Sequence, residues 1–190
     1  MRGAVGRPQM TRRRRTVLGG CVSVILVSTA LLLAVVGGHD GGSGPSSEAA
    51  PPHLVGPREL VEVEESLGYP IYWAGPRRAT GLELSLEGDG SAFVRYLPDG
   101  VDVGDPRPSF LVVGSYPIAD AAAALRRTAK KEGVDVAAGP GASVLVERPS
   151  APGSVYLAYP GTAVEVEVFS PRKGEARRLV ESGAIEAVGG

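Results

Sequence analysis

The chain has 190 residues, with 20 basic and 21 acidic side chains, two histidines and one cysteine. With its only histidines at His39 and His53 and its only cysteine at Cys21, it lacks the side chains for a Ser-His-Asp or Cys-His centre, a histidine-rich zinc site or a disulfide framework. Asn is absent and Gln9 is the single Gln, which excludes N-glycosylation and leaves recognition to arginine, carboxylates, hydroxyls, aromatics and backbone.

Residues 1–16 form a basic tail: Arg2, Arg7, Arg12, Arg13, Arg14 and Arg15 stand there without an acid. The run from Val17 to Val36 carries no charge, and 20 residues of helix at about 1.5 Å each span the roughly 30 Å hydrocarbon core. Leu18-Gly19-Gly20-Cys21 reads like a lipoprotein cleavage box, but the apolar run follows Cys21 instead of preceding it, so cleavage there would leave the hydrophobic segment in place. The reading adopted is a transmembrane helix over 17–36; the alternative is a secretory signal cut after Ala34 or Gly38. Both place the rest of the chain outside the cytoplasm, and Arg12 to Arg15 orient the N-terminus inside. Beside a span, such a cluster reads as a membrane anchor and not as a nucleic-acid site. The residues beyond the tail hold 14 basic and 21 acidic side chains, a net charge of −7.

Residues 37–56, rich in Gly, Ser and Pro, read as a flexible tether. Residues 57–190 are long enough to bury one core. Proline at the start, early acids and Gly68 at the end predict a helix over 57–67, with Leu60, Val63 or Val61, and Leu67 inward. Residues 70–74 read as a strand, followed by a hairpin of 82–87 and 91–97 around Gly88-Asp89-Gly90. A three-residue loop with Gly90 left-handed sets Leu84 opposite Val94, Leu82 opposite Tyr96 and Glu83 opposite Arg95. After a Pro/Gly-rich loop come a strand over 110–115 and a helix over 118–132, whose apolar stripe is Ile118, Ala122, Leu125 and Ala129.

The order then recurs: strands over 134–136, 143–147, 154–160 and 163–171, a helix ending at Ser182 and a strand over 184–187. "VRYLP" at 94–98 aligns with "YLAYP" at 156–160, and "SYP" with "FSP". The expected fold is α+β, two helix-strand-hairpin-strand repeats over about 57–133 and 134–190, with a largely antiparallel sheet and helices on one face.

Two clusters qualify as sites. Tyr69, Tyr72, Trp73, Arg77 and Arg78 gather the only tryptophan, two tyrosines and two arginines, the chemistry for stacking on a sugar or a partner side chain. Against this, the scarcity of aromatics favours a core strand. Asp99, Asp102 and Asp105 place three carboxylates in a glycine-bearing loop as a weak Ca²⁺ candidate whose spacing does not match an EF-hand. No catalytic residue and no other cofactor is assigned.

"YPIYWAGP", "VRYLP" and "FLVVGSYP", with the basic tail and single span, resemble uncharacterised single-pass membrane proteins of high-GC actinobacteria. That resemblance implies location and architecture, not an activity. The expected function is a membrane-anchored, extracytoplasmic, non-enzymatic binding or assembly module acting on a protein partner or a cell-wall polymer. The alternative is an envelope hydrolase using carboxylates.

Overall fold

The computed structural model describes residues 49–78 and 80–190. The basic tail with Arg12 to Arg15, the apolar segment 17–36 with Cys21, and the tether through residue 48 with His39 lie outside the described residues. Among the described residues no helix is long and apolar enough to cross a membrane.

The described elements are β1 (Ala50–Val55), α1 (Pro57–Leu67), β2 (Tyr72–Trp73), β3 (Thr80–Leu86), β4 (Ala92–Pro98), β5 (Leu111–Pro117) and α2 (Ala121–Glu132). They continue with β6 (Val136–Ala138), a 3-10 turn (Pro140–Ala142), β7 (Val144–Val146), β8 (Ser154–Ala158), β9 (Val164–Phe169), α3 (Glu175–Glu181) and β10 (Glu186–Ala187). Eight strands make one antiparallel sheet in the order β1-β3-β4-β5-β9-β8-β7-β6, while β2 and β10 pair apart from it. The class is α+β. Each four-strand half runs from an outer edge to the centre, where β5 and β9 meet.

Period-2 alternation builds the core. Leu84, Val94, Val113, Val168 and Val155 are register partners across five strands and form one buried apolar row. Each such side chain contributes about 1.5–3 kcal/mol by leaving water. On this first face lie α1 through Leu60, α3 through Ala176 and Val180, and the β2/β10 ribbon. Proline at N1 and left-handed Gly68 at the C-cap bound α1, the Gly68 N–H donating to Glu64 O.

The β3–β4 hairpin has the register expected of a three-residue loop: Leu84 faces Val94, Leu82 faces Tyr96 and Glu83 faces Arg95. Gly90 takes φ +86°, and Asp89 Oδ1 accepts the Ser91 N–H at 2.8 Å. The turn therefore fixes which residues share a face.

Four expectations need correction. The last part of the 37–56 tether is the edge strand β1, pairing Val55 with Leu82 and His53 with Leu84, so the fold begins near residue 50 and not at 57. Pro51 and Pro52 fit there because a free edge does not require their missing donors. The strand at 70–74 shrinks to β2, which leaves the main sheet to pair with β10. The helices do not share one face: Ala121, Leu125 and Ala129 of α2 pack on Val144, Val146, Tyr156 and Ala158, whereas Leu145, Val155 and Leu157 face the opposite cluster. Strands β7 and β8 are buried throughout because they are covered on both sides. Finally, "VRYLP" and "YLAYP" occupy corresponding strands β4 and β8 but opposite faces, Tyr96 in the first cluster and Ala158 in the second. What repeats is strand order, since a one-residue offset exchanges the faces.

Candidate functional site

The aromatic stretch is core and not an exposed patch. Ile71 is 0 % exposed, and Tyr72 and Trp73 are each 7 % exposed. The Tyr72 ring stacks on Tyr159 at 5.5 Å and 10°. Burial, and secondarily Tyr159 and Glu64, push the Tyr72 hydroxyl up to about 12. Ser115 Oγ accepts the Tyr72 N–H at 2.9 Å, and Tyr96 Oη accepts the Ala74 N–H at 2.7 Å. Tyr69 is half-buried, its hydroxyl donating to Gly90 O. Arg77 Nη2 meets Glu175 Oε1 at 3.0 Å and its guanidinium lies 5.8 Å from the Tyr96 ring centre; Arg78 is exposed. The large rings fill the gap between sheet and ribbon, where their area stabilises most. Trp73, the only tryptophan in the chain, is expected to emit in the blue and resist iodide quenching. A red-shifted, readily quenched emission would contradict its place in the core.

The aspartate loop is tied down from below. Asp105 is engaged by Arg107, Oδ2 to Nη2 at 2.5 Å and Oδ1 to the backbone N–H at 2.9 Å; hydrogen bonding to Arg107 lowers its carboxyl to about 2. Asp99 and Asp102 are exposed. Among the described residues no group of three His, Cys, Asp or Glu converges to hold a metal. Glu83 reaches up from β3, 0 % exposed, with Oε1 2.6 Å from Arg95 Nη1 and Oε2 accepting the Gly104 N–H at 2.6 Å. Arg95 also donates to Asp105 O at 2.6 Å and lies 5.1 Å from the Phe110 ring centre. The loop thus covers the β3–β4 end of the second face.

Chemistry concentrates on that face at the sheet centre. In β9, Val164, Val166 and Val168 point into the first core, which turns Glu165, Glu167 and Phe169 to the other side. Glu167 stands beside Gly114 and Tyr156 in register, and Glu165 beside Tyr116 and Ala158. Three hydroxyls converge on Glu167: Tyr116 donates to Oε2 at 2.7 Å, Ser154 to Oε1 at 2.6 Å and Tyr156 to Oε1 at 3.0 Å. Burial first, then the Glu167 charge, raises the Tyr116 and Tyr156 hydroxyls, so both remain protonated donors.

Glu165 is treated differently. It makes no hydrogen bond or ion pair among the described residues, and burial pushes its carboxyl up to about 7, with Arg148 opposing and Glu167 adding to the rise. The Arg148 guanidinium is already engaged, its Nε 2.8 Å from Glu132 Oε2 and its Cζ 5.3 Å from the Tyr156 ring centre. Two glutamates whose backbones stand roughly 6.6 Å apart along one strand therefore carry carboxyl groups in unlike environments, one held by hydroxyls and one raised by burial to about 7.

Between α2 and the 98–110 loop, this face has an aromatic floor. Phe93 meets Tyr116 edge-to-face at 5.5 Å and 86°. A Cβ on Gly114 would come within 3.1–3.2 Å of both rings, so glycine lets Phe93 lie across β5. Phe93, Val112, Tyr116, Glu165, Glu167 and Phe169 are all half-buried. A cavity of about 230 Å³ along Glu147 to Ser154 adjoins this face through Arg148 and Ser154, and one of about 100 Å³ lies apart from it beside Arg77, Tyr96, Arg172 and Glu175. The "VEVEV" alternation makes the two glutamates legible as neighbours on one face, but nothing local announces Tyr116, 51 residues earlier than Glu167. Comparison with protein-family models, with curated proteins and with solved structures finds no significant match.

Proposed function

We propose that the chain is a membrane-anchored, extracytoplasmic binding or assembly module, held by residues 17–36 with Arg12 to Arg15 inside, whose binding surface is the second face of the sheet between α2 and the 98–110 loop. The observation that carries this reading is the aromatic and acidic floor of Phe93, Tyr116, Glu165 and Glu167, left half-exposed where the opposite face is packed. Half-exposed aromatic surface with a few placed polar groups is the composition of recognition patches. The uncharged span and its basic flank support the orientation.

Protease added to intact spheroplasts is expected to cut the exposed 98–110 loop, and a loop cut only after lysis would overturn the orientation. Release of the domain into the medium would instead favour the cleaved-signal version.

A second reading, a carboxylate-dependent envelope hydrolase, is favoured by one observation, the unlike environments of Glu165 and Glu167. In that case Glu165 is the general acid and Glu167, oriented by Tyr116, Ser154 and Tyr156, the second carboxyl group. Glu165→Gln and Glu167→Gln would then each abolish turnover of a wall polymer, with activity falling as pH rises through about 7, where Glu165 loses its proton. Turnover retained by both variants removes this reading.

A further inference from the structure

Building on the binding reading above, we propose that the Phe93, Tyr116 and Glu165 patch receives the cationic side chain, arginine or lysine, of an extended basic segment of a partner protein.

The argument is one of charge complementarity. Neighbouring acids with comparable burial on the sheet have their donors: Glu83 has Arg95 and the Gly104 N–H, Glu175 has Arg77 and Ser170, and Glu167 has three hydroxyls, while Glu87 at the hairpin end lacks a partner among the described residues but has no aromatic wall beside it in register. Glu165 has neither a hydrogen bond nor an ion pair among the described residues, although it is half-buried. A carboxylate in that position is disfavoured when ionised, and an incoming cation is the group that offsets the cost. The walls suit a cation as well. Tyr116 is the register neighbour of Glu165 on β5 and Phe93 packs on Tyr116 at 86°, so half-buried aromatic rings, whose faces attract positive charge, stand beside the carboxyl group.

The groups around Glu165 leave that role open. On β9 the neighbour is Glu167, already held by three hydroxyls; on β5 stands Tyr116, protonated, and on β8 the uncharged Ala158. From the β7–β8 loop comes Arg148, held by Glu132 of α2, and α2 itself turns Ala121, Leu125 and Ala129 to the sheet. The second face therefore has acceptor capacity at Glu165 and, among the described residues, no counter-charge hydrogen-bonded or ion-paired to it. A net charge of −7 beyond the basic tail draws a basic segment toward the domain at long range.

The test uses the full chain in a neutral detergent and a capped penta-arginine peptide as probe, titrated by calorimetry at pH 8 and pH 6, with penta-glutamate and arginine amide as comparisons. Penta-arginine is expected to bind, and penta-glutamate not to bind. Glu165→Gln, isosteric and compatible with the fold, should weaken penta-arginine binding about tenfold at pH 8; Tyr116→Phe, which keeps the ring, should change it less than about twofold. Wild-type affinity should fall about fivefold from pH 8 to pH 6 as the ionised fraction of Glu165 drops and the neutral form binds about as weakly as Gln, while Glu165→Gln should lose that dependence. Glu65→Gln, an exposed acid on α1, is the control for diffuse attraction.

Equal losses in Glu65→Gln and Glu165→Gln, or a pH dependence retained by Glu165→Gln, overturn the proposal. Arginine amide binding as tightly as the peptide overturns the polypeptide source in favour of a small cation. A photo-cross-linker at Phe93 that captures a neutral polymer, with no penta-arginine binding, sinks the cationic class and leaves the binding face standing. A spheroplast experiment that places the domain inside the cell sinks the envelope reading separately.

Discussion

Replacing Glu83 by alanine is expected to destabilise the fold by about 3–5 kcal/mol, the cost of breaking a buried ion pair from one side. Glu83 is 0 % exposed and holds both Arg95 Nη1 and the Gly104 N–H at 2.6 Å. Removing it strands a guanidinium whose side chain is only 18 % exposed and frees the 98–110 loop from β3. Arg95→Met should cost a similar amount, since it leaves the carboxylate buried with one backbone donor. Against a typical stability of about 5–15 kcal/mol for a domain, either change is large. Urea unfolding checks both, and the double variant Glu83→Leu/Arg95→Met should recover much of the loss because no uncompensated charge remains. A midpoint unchanged in Glu83→Ala would mean that water reaches the pair.

The second large effect depends on pH and has the opposite sign. Burial raises the Glu165 carboxyl from 4.5 to about 7, so between those values the folded chain holds a proton that the unfolded chain has released. Stability from this group is therefore present at low pH, falls as pH rises from about 4.5 to 7, and is fully lost above 7. The span corresponds to at most about 3 kcal/mol. Glu165→Gln should be close to neutral at pH 4.5 and stabilising by up to that amount at pH 8. The difference between the two unfolding-midpoint curves isolates Glu165 from every other titrating group. A difference that is flat with pH, or largest at acid pH, would falsify the assignment of a raised carboxyl here. A gain at pH 8 would also fit a functional site, where a group is kept in a costly state that a partner relieves.

Local readings succeeded where a short segment contains its own constraint. Pro57 and Gly68 bound α1, and Gly88-Asp89-Gly90 sets the hairpin register so that Glu83 meets Arg95. The alternation in 164–169 separates valines from glutamates without further help. Readings failed where an element depends on distant chain. The scarcity of aromatics pointed Tyr72 and Trp73 to the core, but not to their partner: β10, more than a hundred residues later, pairs with them away from the main sheet. His53, Leu54 and Val55 look like tether until β3 offers an edge. The second face of β7 and β8 is apolar because α2 lands there, which two three- to five-residue strands cannot announce.

By itself the sequence determined the charge asymmetry, the uncharged 20-residue run, the α+β class and the facing of the β3–β4 hairpin residues, because these depend on composition, turn length and periods of two and 3.6 residues. Only the tertiary structure decided which face each helix covers and which carboxylates are satisfied. Glu165 and Glu167 are the same residue type two positions apart, and they differ because Tyr116, Ser154 and Tyr156 arrive at one and not at the other. Solvation and hydrogen bonding at a side chain are set by whatever the rest of the chain places around it, and that placement has no local signature.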